Sequence, residues 1–209
     1  MHIILIALSV AFTTNTEPKW ELIDNQDGIT TYKRSVPNSG LFAFRGEAEV
    51  RGVDFHRLLT LVAKPKYHPR WMDMCYMSKE LKRPSPLERV CYTRFELPSV
   101  ISWVVDDRDF VYNIRGEVKD NGNTFRAHFN SGSVNRSRPD KCCVRGLLKD
   151  AFIELKRHRY GRISMVLEAV IDPKGLVPQW VVYFVQKHWP FKSLRDLRKA
   201  ARDKSVVID

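Results

Sequence analysis

Four consecutive positions, Asp106-Asp107-Arg108-Asp109, set three acids around one arginine. Directly before them runs "LPSVISWVV", Leu97 to Val105. There Val100, Ile101, Trp103 and Val104 put large apolar side chains into a loop-like stretch introduced by Pro98. Such a cluster suits either proton-transfer chemistry or the pinning of a segment by ion pairs. The rest of the chain offers little to the first task. No GxSxG, HExxH, GxGxxG or phosphate-loop sequence occurs. The six histidines are scattered. His56 and His68, near a helix and its exit, read as surface or packing residues. Asp73, Glu80 and Asp150 fall on strands without an evident partner. No catalytic residue, cofactor or metal is therefore expected. The cluster reads as the anchor of an apolar loop, and an exposed apolar patch marks a contact site. A tryptophan in such a loop favours the membrane interface.

The four cysteines show neither CxxC nor metal-like spacing with histidine. Cys142 and Cys143 would point to opposite faces of a strand, which makes them poor joint ligands. Buried free thiols are the default expectation. Cys75 and Cys91 face each other if their strands form a hairpin, and a bridge there would need an oxidising compartment.

Residue types also bound the partners. The chain of 209 residues is 44% hydrophobic and 11% aromatic, enough for a substantial core. The net charge of +11 favours nucleic acid or an anionic membrane surface. Nucleic-acid strands interleave basic and aromatic residues, a pattern missing here, so nucleic acid is not expected. The densest basic pieces are "KRHRYGR" (Lys156 to Arg162) and "KSLRDLRKAARDK" (Lys192 to Lys204). Both suit phospholipid headgroups, and the second also complements a helix C-terminus.

The elements that must position these groups follow from periodicity. A short helix is expected around Thr16 to Asn25, capped by Thr16 with Pro18 in its first turn, then a turn at Asp27-Gly28. "ITTYKR" and "LFAFRGEAEV" read as strands, the second with Phe42, Phe44, Gly46, Ala48 and Val50 on its buried face. Asp54 caps a helix over "FHRLLTLVA", and Pro65 ends it. Strands follow near Asp73 to Lys82 and Leu87 to Leu97, then Asp109 to Lys119, Asn123 to Ser131, Lys141 to Leu155 and Arg162 to Asp172. Asn121-Gly122 and "RHRYG" close hairpins. A last helix runs from Pro178 to about Asp203. Trp180, Phe184, His188, Phe191 and Leu194 form its apolar stripe, and Pro190 should kink it.

One helix cannot fill so large a sheet flush. The sheet must close on itself or leave a space, and an apolar space takes an apolar ligand. No repeat or linker divides residues 16–205, which are read as one domain. Residues 1–15 stand apart. The run Ile3 to Phe12 is too short to span a bilayer. It reads either as a signal-peptide core, with Ser9 and Ala11 near a cut, or as an N-terminal anchor. Cleavage would place the protein in the periplasm or outside the cell; otherwise it is cytoplasmic.

Five pieces carry a resemblance. They are "WELIDNQDGITTYKR" (Trp20 to Arg34), "FRGEAEVRGV" (Phe44 to Val53), Trp71, "RDFV" (Arg108 to Val111) and "DPKGLVPQW" (Asp172 to Trp180). In this order, across nearly the whole chain, they resemble the StAR-related lipid-transfer (START) domain of the Bet v 1-like helix-grip superfamily. The resemblance implies an α+β helix-grip fold, a curved antiparallel sheet wrapped around a long C-terminal helix. It implies a lipid-sized cavity entered between that helix and the loop before Arg108. Val100, Ile101, Trp103 and Val104 would form the gate, with Trp189 and Phe191 of "KHWPFK" as further membrane contacts. Trp71, Phe110, Tyr112 and Ile114 would face the ligand, with Trp180, Phe184 and His188 as its ceiling.

Sterol-type members carry an arginine six residues past the arginine of R-D, and here that position is Ile114. Glu96 matches the acidic partner of that cavity arginine, so Glu96 and Arg94, on the same strand face, are expected among the ligand-binding residues. Either Arg94 pairs with Glu96 instead, or Glu96 is not buried, because an unpaired buried acid is costly. The expected protein is a monomeric, non-enzymatic lipid-binding or lipid-transfer protein. Its ligand would be a phospholipid, a sterol or a fatty-acid-like molecule. A polyketide cyclase or aromatase of the same superfamily is the alternative, and an interaction module with a filled core is a third reading.

Overall fold

Alternation along the strands sets the architecture. A computed structural model describes residues 18–132 and 141–208. The apolar run of the N-terminal segment and the Thr16 cap lie outside those residues. The chain order is β1 (Glu21–Gln26), β2 (Ile29–Ser35), β3 (Phe42–Arg51), α1 (Phe55–Ala63), β4 (Cys75–Ser85), β5 (Glu88–Phe95), α2 (Ser99–Ser102), β6 (Asp107–Lys119), β7 (Thr124–Asn130), β8 (Cys143–Arg145), β9 (Leu147–Arg157), β10 (Arg162–Asp172) and α3 (Gln179–Ala200). A 3₁₀ turn, Pro65–Arg70, follows α1. Among the described residues these strands form one curved sheet of ten, ordered β1-β2-β3-β10-β9-β7-β6-β5-β4, with β8 added to β6 in parallel.

β3 shows the driving pattern. Phe44, Gly46, Ala48 and Val50 are buried, while Glu49 and Arg51 face water. Asp54 caps α1 by accepting from the backbone N–H groups of His56 and Arg57 at 2.6 and 3.2 Å. Leu58, Leu61 and Val62 of α1 then join the main core with Leu194 and Leu197 of α3.

Three expectations about the elements are corrected. The segment before Asp27 is strand β1, not a helix. Asp27 and Gly28 both adopt positive φ, 53° and 65°, which matches a two-residue hairpin turn. Pairing of β1 with β2, such as Leu22 with Tyr32, then overrides the helix-start signal. The expected strand Lys141 to Leu155 breaks at Gly146 into β8 and β9. The break lets β8 pair with β6 while β9 pairs with β7 and β10. Gly146 lies flat against the Phe110 ring, and a Cβ there would overlap it.

The third correction concerns the thiols. Cys142 and Cys143 are joined to each other in a disulfide. Cys142 sits in an exposed turn just before β8, so no strand holds the two side chains on opposite faces. β4 and β5 do form a hairpin, but its register sets Cys91 opposite Glu80 and Cys75 opposite Phe95. Both stay free and buried, and burial pushes each thiol up to about 12.

α3 continues through Pro190 without a break. The proline marks the crossing of helix and sheet. A Cβ added to Gly46 on β3 would come within 2.8 Å of Leu194 Cδ1 and 3.0 Å of Pro190 Cβ. The missing side chain is what lets the helix approach β3 so closely. Gly46→Ala should therefore overpack the crossing and cost about 1–3 kcal/mol. A thermal melt should show Tm lower by about 2–4 °C per kcal/mol, and an unchanged melt would mean that the crossing has slack.

Candidate functional site: an apolar cavity and its door

In the N-terminal half of α3, Tyr183 packs on Phe42 and Phe44 of β3 and Gln186 bonds the Ile171 carbonyl of β10, and a cavity lies beneath this part of the helix. Together with the open space at its mouth the cavity spans about 1000 Å³. Its floor is the sheet: Phe110 and Tyr112 of β6, Phe129 of β7, Ala151 of β9 and Leu167 of β10. Its roof is the Val181, Val185, Gln186 and Trp189 face of α3. Trp71, Met72 and Met74 border one part of it, and Leu97, Val105, Pro173 and Val177 border another. Trp71 is fixed there because its indole N–H donates to the Leu61 carbonyl at 3.0 Å.

The second of those borders is an apolar cluster separate from the main core. Ile101 and Val105 of the α2 loop pack with Val181, supported by Leu97, Val177 and Val185. Loop and helix therefore meet through a few aliphatic side chains. Around this contact the surface is apolar as well. Trp103 is 82% exposed, Leu176 100% and Trp180 62%, with Val100, Val104 and Phe184 also exposed.

The charge cluster ties the loop to its surroundings. Asp107 Oδ1 accepts from the backbone N–H of Leu97 at 3.0 Å, and Oδ2 meets Arg94 at 3.1 Å. One carboxylate thereby joins the start of the loop to its end. Asp109 is fully buried and receives Arg145 from β8 in a two-pronged pair of 2.7 and 3.0 Å. Arg108 points the other way. Its Nε donates to the Pro173 carbonyl at 2.8 Å and Nη2 to that of Lys174 at 3.3 Å, while Nη1 donates to the carbonyls of Asp106 and Asp107. Arg108 thus fastens the end of the loop to the turn that leads into α3. Burial lowers its pKa, and Asp106 and Asp107 oppose that shift.

The structure brings only part of the expected set to the cavity. Trp71, Phe110 and Tyr112 border it. Ile114 is buried further along β6 and does not, while Arg115 stays on the outer face and pairs with Glu88 at 2.9 Å. Arg94 and Glu96 lie outside the cavity, paired with each other at 3.2 Å, and Glu96 remains largely exposed. The helix stripe is out of phase. Trp180, Phe184 and His188 face outward, and His188 Nδ1 bonds the Phe184 carbonyl at 3.0 Å. The face one position on, Val181 and Val185, covers the cavity instead. Trp189, expected at the membrane, is buried in the roof. Phe191 is half-buried beneath Arg195. In the loop, Ile101 is buried, whereas Val100, Trp103 and Val104 are exposed. Asp73 and Glu80 do find partners, Lys192 at 3.6 Å and Arg89 at 3.0 Å. Arg108, Gln186, Val181 and Val185 were missed. The alternative i, i+4 spacing of Val181 and Val185 was the available signal.

A closed polar group lies behind Tyr112. His68 is fully buried, and its Nε2 donates to the Val62 carbonyl at 3.0 Å. Nδ1 then faces Ser78 Oγ at 3.2 Å and the Tyr112 hydroxyl at 3.4 Å, and Thr93 joins both hydroxyls at 2.7 and 2.8 Å. Burial lowers the His68 pKa to about 4 and raises that of Tyr112 well above the tyrosine range. Neither group exchanges a proton near neutrality. Among the described residues no cluster suited to a metal ion occurs.

The START domain profile matches residues 6–204, and the chain belongs to that family. An uncharacterised protein of Pseudomonas aeruginosa is 24% identical over 182 residues, spanning 87% of this chain and 86% of that protein. Two solved structures are similar in fold. Human StAR-related lipid transfer protein 5 matches with a TM-score of 0.75 and 19% identity, over 88% of this chain and 86% of that one. A STAR-related lipid transfer protein fragment from Xanthomonas axonopodis matches with a TM-score of 0.74 and 24% identity, over 88% and 99%. The helix-grip fold is thereby established, and lipid binding is the function supported at the level of the family.

His68 makes stability depend on pH. Its folded pKa of about 4 lies below the unfolded value of 6.5, so the unfolded chain binds the extra proton between them. Stability is intact above pH 6.5 and falls as pH drops towards 4, by about 3 kcal/mol from this group at 1.36 kcal/mol per unit. Denaturant midpoints at pH 7 and pH 4.5 should differ less in His68→Gln than in the parent. An equal drop in both would remove His68 from the acid response.

Proposed function

We propose that this protein holds one lipid in the cavity beneath α3 and exchanges it at a membrane surface, through the contact between the α2 loop and the first turns of α3. The observation that carries the reading is the composition of that contact. A cavity lined almost wholly by apolar side chains is shut by a small aliphatic cluster, and exposed aromatic side chains surround it. Each methylene moved from water into the cavity gains about 0.8 kcal/mol. A long chain is therefore held firmly, and the opening of the door limits its exchange.

The exposed Trp103 is prepared for a bilayer. Its indole N–H already donates to the Val100 carbonyl at 2.9 Å. Burying the ring in lipid would strand no donor. Trp180, Phe184 and Leu176 pass from the cavity role first expected of them, or from none, to the rim of the same membrane contact. Among the described residues no helix is long and apolar enough to cross a membrane, so the contact proposed is a surface one. The net charge of +11 favours anionic lipid.

A cyclase-like enzyme is the other reading of this fold. It needs an acid–base pair poised near neutral pH beside the ligand. Among the described residues that border the cavity, none is Asp, Glu, His or Lys. The His68–Tyr112 pair is shifted away from neutrality in both directions. The binding reading is favoured on that ground.

Transfer of a fluorescent lipid between vesicles tests the proposal. Trp103→Ala and Trp180→Ala should each slow transfer severalfold with unchanged circular dichroism. Binding should be stronger to anionic than to neutral vesicles and should weaken with salt, since exposed charges are screened within about 10 Å at 0.1 M. Parental transfer rates in both variants would refute the membrane-facing rim.

A further inference from the structure

We infer that the ligand is an anionic amphiphile, with a carboxylate or phosphate head seated at Arg108 and Gln186 and its tail lying along the apolar floor. The inference rests on the lipid-binding reading above and narrows it to a head-group chemistry. Among the described residues, three side chains with polar groups beyond a tryptophan ring border the cavity: Arg108, Tyr112 and Gln186. The Tyr112 hydroxyl is engaged with Thr93 and His68 behind the floor, so it offers the ligand mainly its ring. That leaves two.

Both are held by the same stretch of chain, the end of β10 and the turn after it. Gln186 Nε2 donates to the Ile171 carbonyl at 3.1 Å, and Arg108 donates to the carbonyls of Pro173 and Lys174. The Ile171 oxygen can only accept, which fixes the amide's orientation and leaves one Nε2 hydrogen over. A guanidinium has five N–H groups. Four of them meet the carbonyls of Asp106, Asp107, Pro173 and Lys174, which leaves one on Nη2.

The charge of Arg108 is also not cancelled by a bonded carboxylate. The side chain is only 6% exposed, and its hydrogen bonds all go to backbone carbonyls. The carboxylates of Asp106 and Asp107 act on it across space only; that of Asp107 is bonded to Arg94, and that of Asp109 to Arg145. A buried cation of this kind is stabilised by an anion brought to it, through charge-assisted hydrogen bonds that exceed neutral ones. Everything else on the cavity wall is apolar or already satisfied. The head therefore belongs beneath residues 171–174, beside the door, and the tail extends towards Trp71 and Phe129.

The test uses the delipidated full chain loaded with an environment-sensitive fatty dye. The dye is displaced in turn by hexadecanoate, hexadecyl phosphate, methyl hexadecanoate and inorganic phosphate. The two anionic amphiphiles should bind at least about tenfold tighter than the ester, and inorganic phosphate, a head without a tail, should not displace the dye. Arg108→Gln should bring the ratio of anion to ester affinity towards one, whatever happens to each affinity. Gln186→Leu should lower the same ratio, and it decides the matter if Arg108→Gln does not fold. Equal binding of acid and ester by the parent protein, or a ratio that survives in the variants, would overturn the anionic head. If neither the anions nor the ester binds, the lipid cavity itself is wrong, and the anionic head falls with it.

Discussion

Everything at the cavity's door hangs from three consecutive residues at the start of β6. Asp107 joins the first and last residues of the α2 loop, Arg108 holds the turn that launches α3, and Asp109 fixes β8 to β6 through Arg145. The charges are mostly buried and heavily hydrogen-bonded, and breaking a buried pair costs several kcal/mol. The frame on both sides of the door is therefore rigid. What lies between, Ile101 and Val105 against Val181, is among the described residues a small aliphatic cluster. A strong frame around a weak seam would let the proposed door open without unfolding.

The cavity lies where α3, packed on β2, β3 and β10, passes over the inner faces of β6, β7 and β9. Gly46 lets Pro190 and Leu194 approach β3, and Leu194, Leu197 and Ala200 are packed into the main core. Towards its N-terminus the helix meets larger floor residues, Phe110, Tyr112 and Phe129, and shorter roof residues, Val181 and Val185. Gly146 belongs to the same design, since it makes room behind the Phe110 ring.

Much of this was legible in the sequence wherever a strong local period met a single solution. The alternation in "LFAFRGEAEV", the Asp54 cap and the hairpin turns specify their elements almost alone. The helix phase was not legible. Trp180, Phe184 and His188 repeat as regularly as Val181 and Val185, and the bulkier series was taken as the inward one. α3 is apolar on two adjoining faces, one for the cavity and one for the surface, and spacing cannot say which is which. Pairing with β2 made a strand of β1 against its local helix signals. The Cys142–Cys143 bond depends on a turn whose position only the break at Gly146 reveals. Arg108 was read as an anchor, but its place on the cavity wall follows from tertiary contacts alone.

The seam between loop and helix is the central claim, and it is best tested by locking it. Cysteines at Ile101 and Val181, in a chain whose four native cysteines are replaced, would join the two sides of the door on oxidation. Exchange of a bound fluorescent lipid with vesicles should stop in the oxidised protein and return on reduction, with the circular dichroism unchanged. If the oxidised protein exchanges its lipid at the rate of the reduced one, the door lies elsewhere.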